Sequence, residues 1–487
     1  MRGFVLLALL AASAHAEIQR PSAGLSSLPL RSKSSQGLTA RRVLSVDHAT
    51  AAAAASKGEL VRGGGADARG ALSIAGGMMV HLALGTMYCW GNFMSYMPKS
   101  MLYFDGGAAN GRTPDALYVL PGALLGLNIG LQAGSRLNNK IGVTRTSLLG
   151  GVCFAASVYF ASFQTTLLPF MLIYSLAFGV SIGTAYTAPM VAGWSWFPNR
   201  KGFVSGCVLA AFGAGGFLGN KVGTAIVNPD GVQAVAGAFP AEIYAKFPSM
   251  LRKLSGIYLA LLILGSSLIK SNPASLAAAA KSSSGSAKGG AATSMTFGEA
   301  LKSKEFALLW AMIVLSATAG LNTIGVYKRF GQTVAALNDD AYLSLMGGLG
   351  ALFNGLGRLF WASMVDKFGF KGPFQVSVAI QAVMMACYRY AAQSKFTFAV
   401  ATCAIFSCIG GNFAMAPTVT NIEFGTALAT KVYAVLFTAF VTASIGGSMV
   451  TKRLLKAAGW DAVFSVLAAA SAVSIVLSGM LKPPKEG

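Results

Sequence analysis

From residue 72 to residue 481 the chain alternates long apolar runs with short polar breaks. The runs cover about 72–98, 115–134, 146–162, 166–192, 203–226 and 254–269, then 305–328, 341–363, 374–393, 396–418, 431–450 and 461–481. A helix rises about 1.5 Å per residue, so about 20 apolar residues cross a hydrocarbon layer roughly 30 Å thick. Strands of a membrane barrel need only about half that length. The pattern therefore predicts an all-α polytopic membrane protein with twelve transmembrane helices in two six-helix bundles. A stretch rich in Ser, Ala, Gly and Lys separates the sixth run from the seventh and reads as a flexible linker. The expected plan is a leader over 1–70, an N-terminal bundle over 71–270, a linker over 271–304, a C-terminal bundle over 305–482 and a tail over 483–487.

Composition agrees with lipid as the solvent. Of 487 residues, 54% are hydrophobic and 11% charged, against about a quarter charged in soluble domains, and mean hydropathy is +0.60. The 58 glycines suit close-packed membrane helices. The net charge of +22 would suit a nucleic-acid partner if it were clustered. It is spread instead over the leader and short loops, as topology signals are, so no nucleic-acid partner is expected. All six cysteines lie in apolar segments without metal-ligand spacing and read as small packing residues.

The first 70 residues have a different character. Arg2, the apolar stretch Phe4 to Ala12 and the Ala14-His15-Ala16 site make a signal peptide too short to span. Residues 17–70 then carry Arg20, Arg31, Lys33, Arg41 and Arg42 among many Ser and Ala with few acids, which is transit-peptide composition. Signal followed by transit resembles the bipartite leaders that direct proteins to complex plastids, although His15 and Glu17 stand where such leaders carry an aromatic. A plastid envelope is the expected destination, with the plasma membrane or another endomembrane as alternatives, and the alternative to a targeting leader is a disordered N-terminal tail.

An internal repeat marks the two halves. After the second run comes Ser135-Arg136-Leu137-Asn138-Asn139-Lys140-Ile141-Gly142-Val143-Thr144-Arg145, and after the eighth Ala362-Ser363-Met364-Val365-Asp366-Lys367-Phe368-Gly369-Phe370-Lys371. A glycine permits the tight turn, and the bases hold the loop on the cytoplasmic side. Six plus six helices with these paired loops resemble the major facilitator superfamily, whose members are two related bundles rocking about a central site. The resemblance implies pseudo-two-fold symmetry and gating roles for Asn139, Lys140, Gly142, Arg145, Asp366, Lys367 and Gly369. Asn139 replaces the acid of that loop, which weakens the latch in the first half. In the second run Gly122, Gly126, Gly130 and Gly134 recur every four residues and so share one stripe, where two backbones can approach.

Further segments resemble the oxalate/formate antiporter family, relatives of the monocarboxylate transporters. They are Leu84-Gly85-Thr86-Met87-Tyr88-Cys89-Trp90 in the first run, Trp196-Phe197-Pro198-Asn199-Arg200-Lys201-Gly202 after the fourth, Phe297-Gly298-Glu299-Ala300-Leu301 before the seventh, and Phe353-Asn354-Gly355-Leu356-Gly357-Arg358 with Trp361 and Asp366 in the eighth. Arg358 lies inside an apolar helix, where a charge is costly and normally faces a cavity or a partner. Its planar fork fits a carboxylate. Asn354 is on the same face, four residues earlier. Related monocarboxylate carriers have an acid on this helix that can hold a proton. Asn354 cannot, and no acid is visible within the spans. The family's dicarboxylate carriers have a lysine in span eleven, and Phe440 stands there. One fixed cation matches a monoanion better than a dianion.

The remaining candidates are Tyr88, Trp90, Gln132, Tyr186, Asn412 and Phe413, each open between pocket lining and plain packing. His81 reads as a satisfied polar residue or a proton carrier. Lys221, Lys328, Arg329 and Arg389, near span ends, read as snorkelling side chains or as a positive vestibule. No nucleophile elbow, P-loop or metal-ligand set occurs, so no enzyme, cofactor or metal is expected. The expected protein is a monomeric carrier of a small organic anion in a lipid bilayer. The alternative is a receptor or scaffold on a carrier fold.

Overall fold

The computed structural model describes residues 68–107, 112–235, 238–275 and 295–481. Most of the leader, the middle of the linker and the tail fall outside the described residues. Within them the chain is helical, with no strand and a lone antiparallel bridge between Val235 and Ala238.

Six long helices precede the linker: α1 (Ala68–Tyr96), α2 (Asp115–Ile141), α3 (Val143–Ala161), α4 (Leu167–Trp196), α5 (Lys201–Val227) and α6 (Phe247–Leu268). Six follow it: α7 (Lys304–Gln332), α8 (Asp340–Phe368), α9 (Lys371–Ala391), α10 (Lys395–Gly425), α11 (431–458) and α12 (460–479). A short helix, Phe297–Lys302, leads into α7 and is started by a Thr296/Glu299 capping box. By length and apolar composition alone, nine stretches of the described residues could cross a membrane. Twelve helices result because α8 and α9, diluted by glycines, amides and charges, are not among the nine, and because the run Lys431–Gly479 is two helices broken at Gly459.

Gly142, Gly369, Gly425 and Gly459 sit at turns with φ between 72° and 83° and extended ψ, a region almost closed to other residues. Gly142 and Gly369 occupy matching places, between α2 and α3 and between α8 and α9. Within each half, packing is close. A Cβ on Gly126, Gly130 or Gly134 would meet the backbone of α4 at 2.1–2.4 Å, so the stripe is the α2–α4 contact. The halves meet where α5 lies on α8, α2 on α11 and α1 on α7.

Helix alternation puts the start of α1, the linker and the ends of α2, α4, α6, α8, α10 and α12 on one face, here termed the linker face. Ser73 and Trp196 both donate to the Lys270 carbonyl there. The opposite face carries a buried polar knot. Lys328 of α7 pairs with Asp340 of α8 at 2.6 Å, both side chains fully buried. Lys328 also donates to Asn92 and Tyr96 of α1, while Tyr96 and Asn228 donate to Asp340. Lys328 therefore does not snorkel, and Asp340 is an acid buried at the start of a span where the apolar pattern shows none. Arg389 is exposed and paired with Asp461, and Lys221 is exposed.

Candidate functional site

Arg358 lies about 27 Å along α8 from Asp340 and about 12 Å from Asp366, at 1.5 Å per residue. It is 8% exposed. A guanidinium carries five N–H donors. Three are used here: Nε to Asn354 Oδ1 at 3.4 Å, one terminal nitrogen to the Tyr186 hydroxyl at 2.7 Å and the other to the Tyr88 hydroxyl at 2.8 Å. Among the described residues each terminal nitrogen keeps one N–H without a partner. Among the described residues no carboxylate lies within salt-bridge reach of it. The cation is covered by Phe413 of α10 and Phe212 of α5, with ring centroids 5.0 and 5.5 Å away, a cation–π arrangement.

Both tyrosines come from irregular backbone. Tyr88 lies in a 3₁₀ stretch, Gly85–Cys89, that interrupts α1. A Cβ on Gly85 would meet the Phe212 carbonyl at 1.8 Å, so this glycine brings α1 onto α5 and sets Tyr88 beside Phe212, edge to face at 5.6 Å. Tyr186 ends the helical piece Phe178–Tyr186, just before α4 breaks at Thr187 and resumes with Pro189 in its first turn. Asn354 is fully buried and donates to the Phe406 carbonyl of α10 at 3.2 Å. Its amide oxygen is thereby fixed toward Arg358. Gly410, where a Cβ would meet the Asn354 carbonyl at 2.1 Å, lets α10 come this close.

The structure brings Arg358, Asn354, Tyr88, Tyr186 and Phe413 together, and separates the other candidates from them. The Trp90 indole donates to the Ala116 carbonyl at 3.0 Å and packs on Phe170 and Tyr174. Gln132 is exposed, on the face of α2 that carries exposed Leu125 and Ile129. Asn412 is buried and accepts from Ser316 of α7. Asn139, Lys140, Gly142, Arg145, Asp366, Lys367 and Gly369 are all exposed at the linker face.

Three residues extend the cluster. Phe212 touches Tyr88, Tyr186 and His81. Nothing in the sequence sets it apart from the other phenylalanines. Tyr433 of α11 lies within electrostatic reach of Arg358 and Tyr186. His81 packs its ring on Tyr186 at 5.0 Å.

No family model matches the chain. Apicoplast pyruvate carrier 1 of Toxoplasma gondii is 25% identical over 476 residues, covering 83% of this chain and 87% of that protein. The oxalate:formate antiporter of Oxalobacter formigenes is 25% identical over 361 residues, covering 72% and 80%. Among solved structures, the Escherichia coli xylose transporter XylE in a partially occluded inward-open conformation superposes with a TM-score of 0.59 at 14% identity, covering 87% of this chain and 99% of that one. The chain has the major facilitator fold and resembles the oxalate/formate antiporters. On that fold Arg358 belongs to the second bundle and both of its tyrosine partners to the first, so the site straddles the two. Phe440, at the position where the antiporter resemblance leads to a lysine, is fully buried and stacks on Phe413 at 4.5 Å. The pocket at that point is aromatic.

Proposed function

We propose that this chain carries small monocarboxylates by alternating access, with Arg358 as the carboxylate site. The observation that carries the reading is a buried guanidinium held between the two bundles, among the described residues, by neutral groups alone, with one N–H on each terminal nitrogen free of any described partner. A carboxylate would accept from that fork and supply the missing negative charge. Because both tyrosine bonds cross between the bundles, an anion competing for Arg358 would loosen one bundle from the other where they must move. A single cation, with Phe440 stacked on the Phe413 ring that covers it, disfavours a dianion, which would bring a second charge into an aromatic wall. Resemblance to a protein named a pyruvate carrier supports pyruvate as the first substrate to try. The leader's composition, and the same relative's name, support a plastid-type envelope as the destination, with the linker face toward the cytosol-like side. A fluorescent fusion of residues 1–70 that stays in the cytosol would exclude that destination.

The test is counterflow of radiolabelled pyruvate, lactate, formate and oxalate in proteoliposomes. Pyruvate or lactate should exchange faster than oxalate. Arg358→Gln should lose about 2–5 kcal/mol of binding, on the order of 30-fold or more in affinity. Full activity in a folded Arg358→Gln protein would make Arg358 structural and remove the site.

A further inference from the structure

His81 is fully buried in α1, one to two turns before Tyr88. Its Nδ1 faces the Gly77 carbonyl at 3.3 Å. A carbonyl can only accept, so Nδ1 carries the ring proton and Nε2 is left with a bare lone pair. Among the described residues that lone pair has no hydrogen-bond partner. A buried acceptor without a donor is costly to keep, and in native structures such groups call for an explanation. The surroundings of this one supply a chemical reason. Its ring lies on Tyr186, which holds Arg358, and near the Phe212 edge at 6.0 Å.

We infer that His81 Nε2 is a proton-binding site that couples carboxylate movement to a proton, so that transport is symport. This rests on the Arg358 reading. Among the described residues the ring packs on Tyr186 of α4 and on the edge of Phe212 of α5, the Arg358 cation of α8 acts on it, and Tyr88 of α1 and Tyr433 of α11 lie about that cation. The fixed charge in this set is the Arg358 cation. While it is uncompensated, a second positive charge on His81 is repelled in a medium of low polarity. A carboxylate on Arg358 cancels that repulsion and favours proton uptake by Nε2. Anion and proton thus bind with mutual support, as linkage requires. The loaded site then has the net charge of the empty one. Release of the anion restores the repulsion and expels the proton, and the carrier returns with Arg358 on its two tyrosines and His81 neutral.

The experiment uses the full chain in liposomes with the membrane potential clamped near zero. Radiolabelled pyruvate reports substrate, and a pH dye in the lumen reports protons. With the outside about one pH unit more acidic, one-to-one symport should accumulate pyruvate toward about tenfold, with matching acidification of the lumen. His81→Gln should abolish accumulation and lumen acidification while counterflow at equal pH stays measurable, whereas Arg358→Gln should lose all three. Wild-type protein that exchanges pyruvate without accumulation or proton entry would overturn the proton site and leave the Arg358 reading standing. Gradient-driven accumulation retained in His81→Gln would do the same. Wild-type protein inactive toward all four anions named above would overturn both.

Discussion

At the scale of single residues the site is a question of charge count and geometry. Arg358→Lys should recover only part of the wild-type affinity, because an ammonium is a point charge and cannot bridge Tyr88, Tyr186 and a carboxylate from one plane. Counterflow KM in liposomes would register the shortfall. Asn354→Asp should place a carboxylate beside Arg358 Nε, neutralise the cation and raise the KM for monocarboxylates. Phe440→Lys should shift preference toward oxalate, read as the ratio of oxalate to pyruvate counterflow, because the new ammonium would project at the ring that covers Arg358. Arg358, Asn354, Tyr88, Tyr186 and Phe413 were legible in the sequence, because a charge inside an apolar helix stands out and the motifs around it are distinctive. Trp90 shares a motif with Tyr88, yet residues two apart on a helix face nearly opposite ways, and the indole turns to α2 and α4. Phe212 left no signal, since its role depends on which helix Gly85 lets it approach.

At the scale of elements, turns and buried pairs make separate demands. Gly142→Ala and Gly369→Ala should each cost about 1–3 kcal/mol, from backbone conformation alone, because no atom lies within 4 Å of the position a Cβ would take. Gly372→Ala is the control. It has equal space and ordinary helical geometry in the first turn of α9, and should be neutral or stabilising by about 0.4–1 kcal/mol. Melting of the purified protein in detergent would separate the three. Asp340→Asn should destabilise by about 3–5 kcal/mol, since it leaves the Lys328 charge buried with neutral partners only, and the same melts would register it. The helices were legible because apolar length is a strong signal. The Lys328–Asp340 pair was not, because spans read from apolar residues end wherever a charge appears, and two charges that satisfy each other inside the protein look like two helix ends.

At the scale of the whole molecule, the hydrogen bonds between bundles are one-sided. They include those joining Asp340 to Tyr96, Asn228 and Gln233, Lys328 to Asn92 and Tyr96, Arg329 to Arg112, Asn338 to Ala234, Ser344 to Thr224 and Asn220, Ser448 to Leu117, Lys452 to Asp115, and Arg358 to its tyrosines. Among the described residues none lies on the linker side of Arg358. These bonds, among the described residues, fasten the bundles at one face and at the centre. A thiol reagent should label Tyr433→Cys from the linker face, with protection by pyruvate, while Ser344→Cys, 1% exposed, should react slowly from either face. Equal labelling of the two would contradict a one-sided closure. The break at Gly459 also bears on how the protein is made. The insertion machinery meets two apolar stretches within 49 residues, parted by Lys452, Arg453, Lys456 and Asp461, and the backbone turns back at one glycine. The last two helices are expected to enter the bilayer together as a hairpin. A chain truncated at 458 should then insert its final helix poorly, which protease protection of a tag at the cut end would reveal.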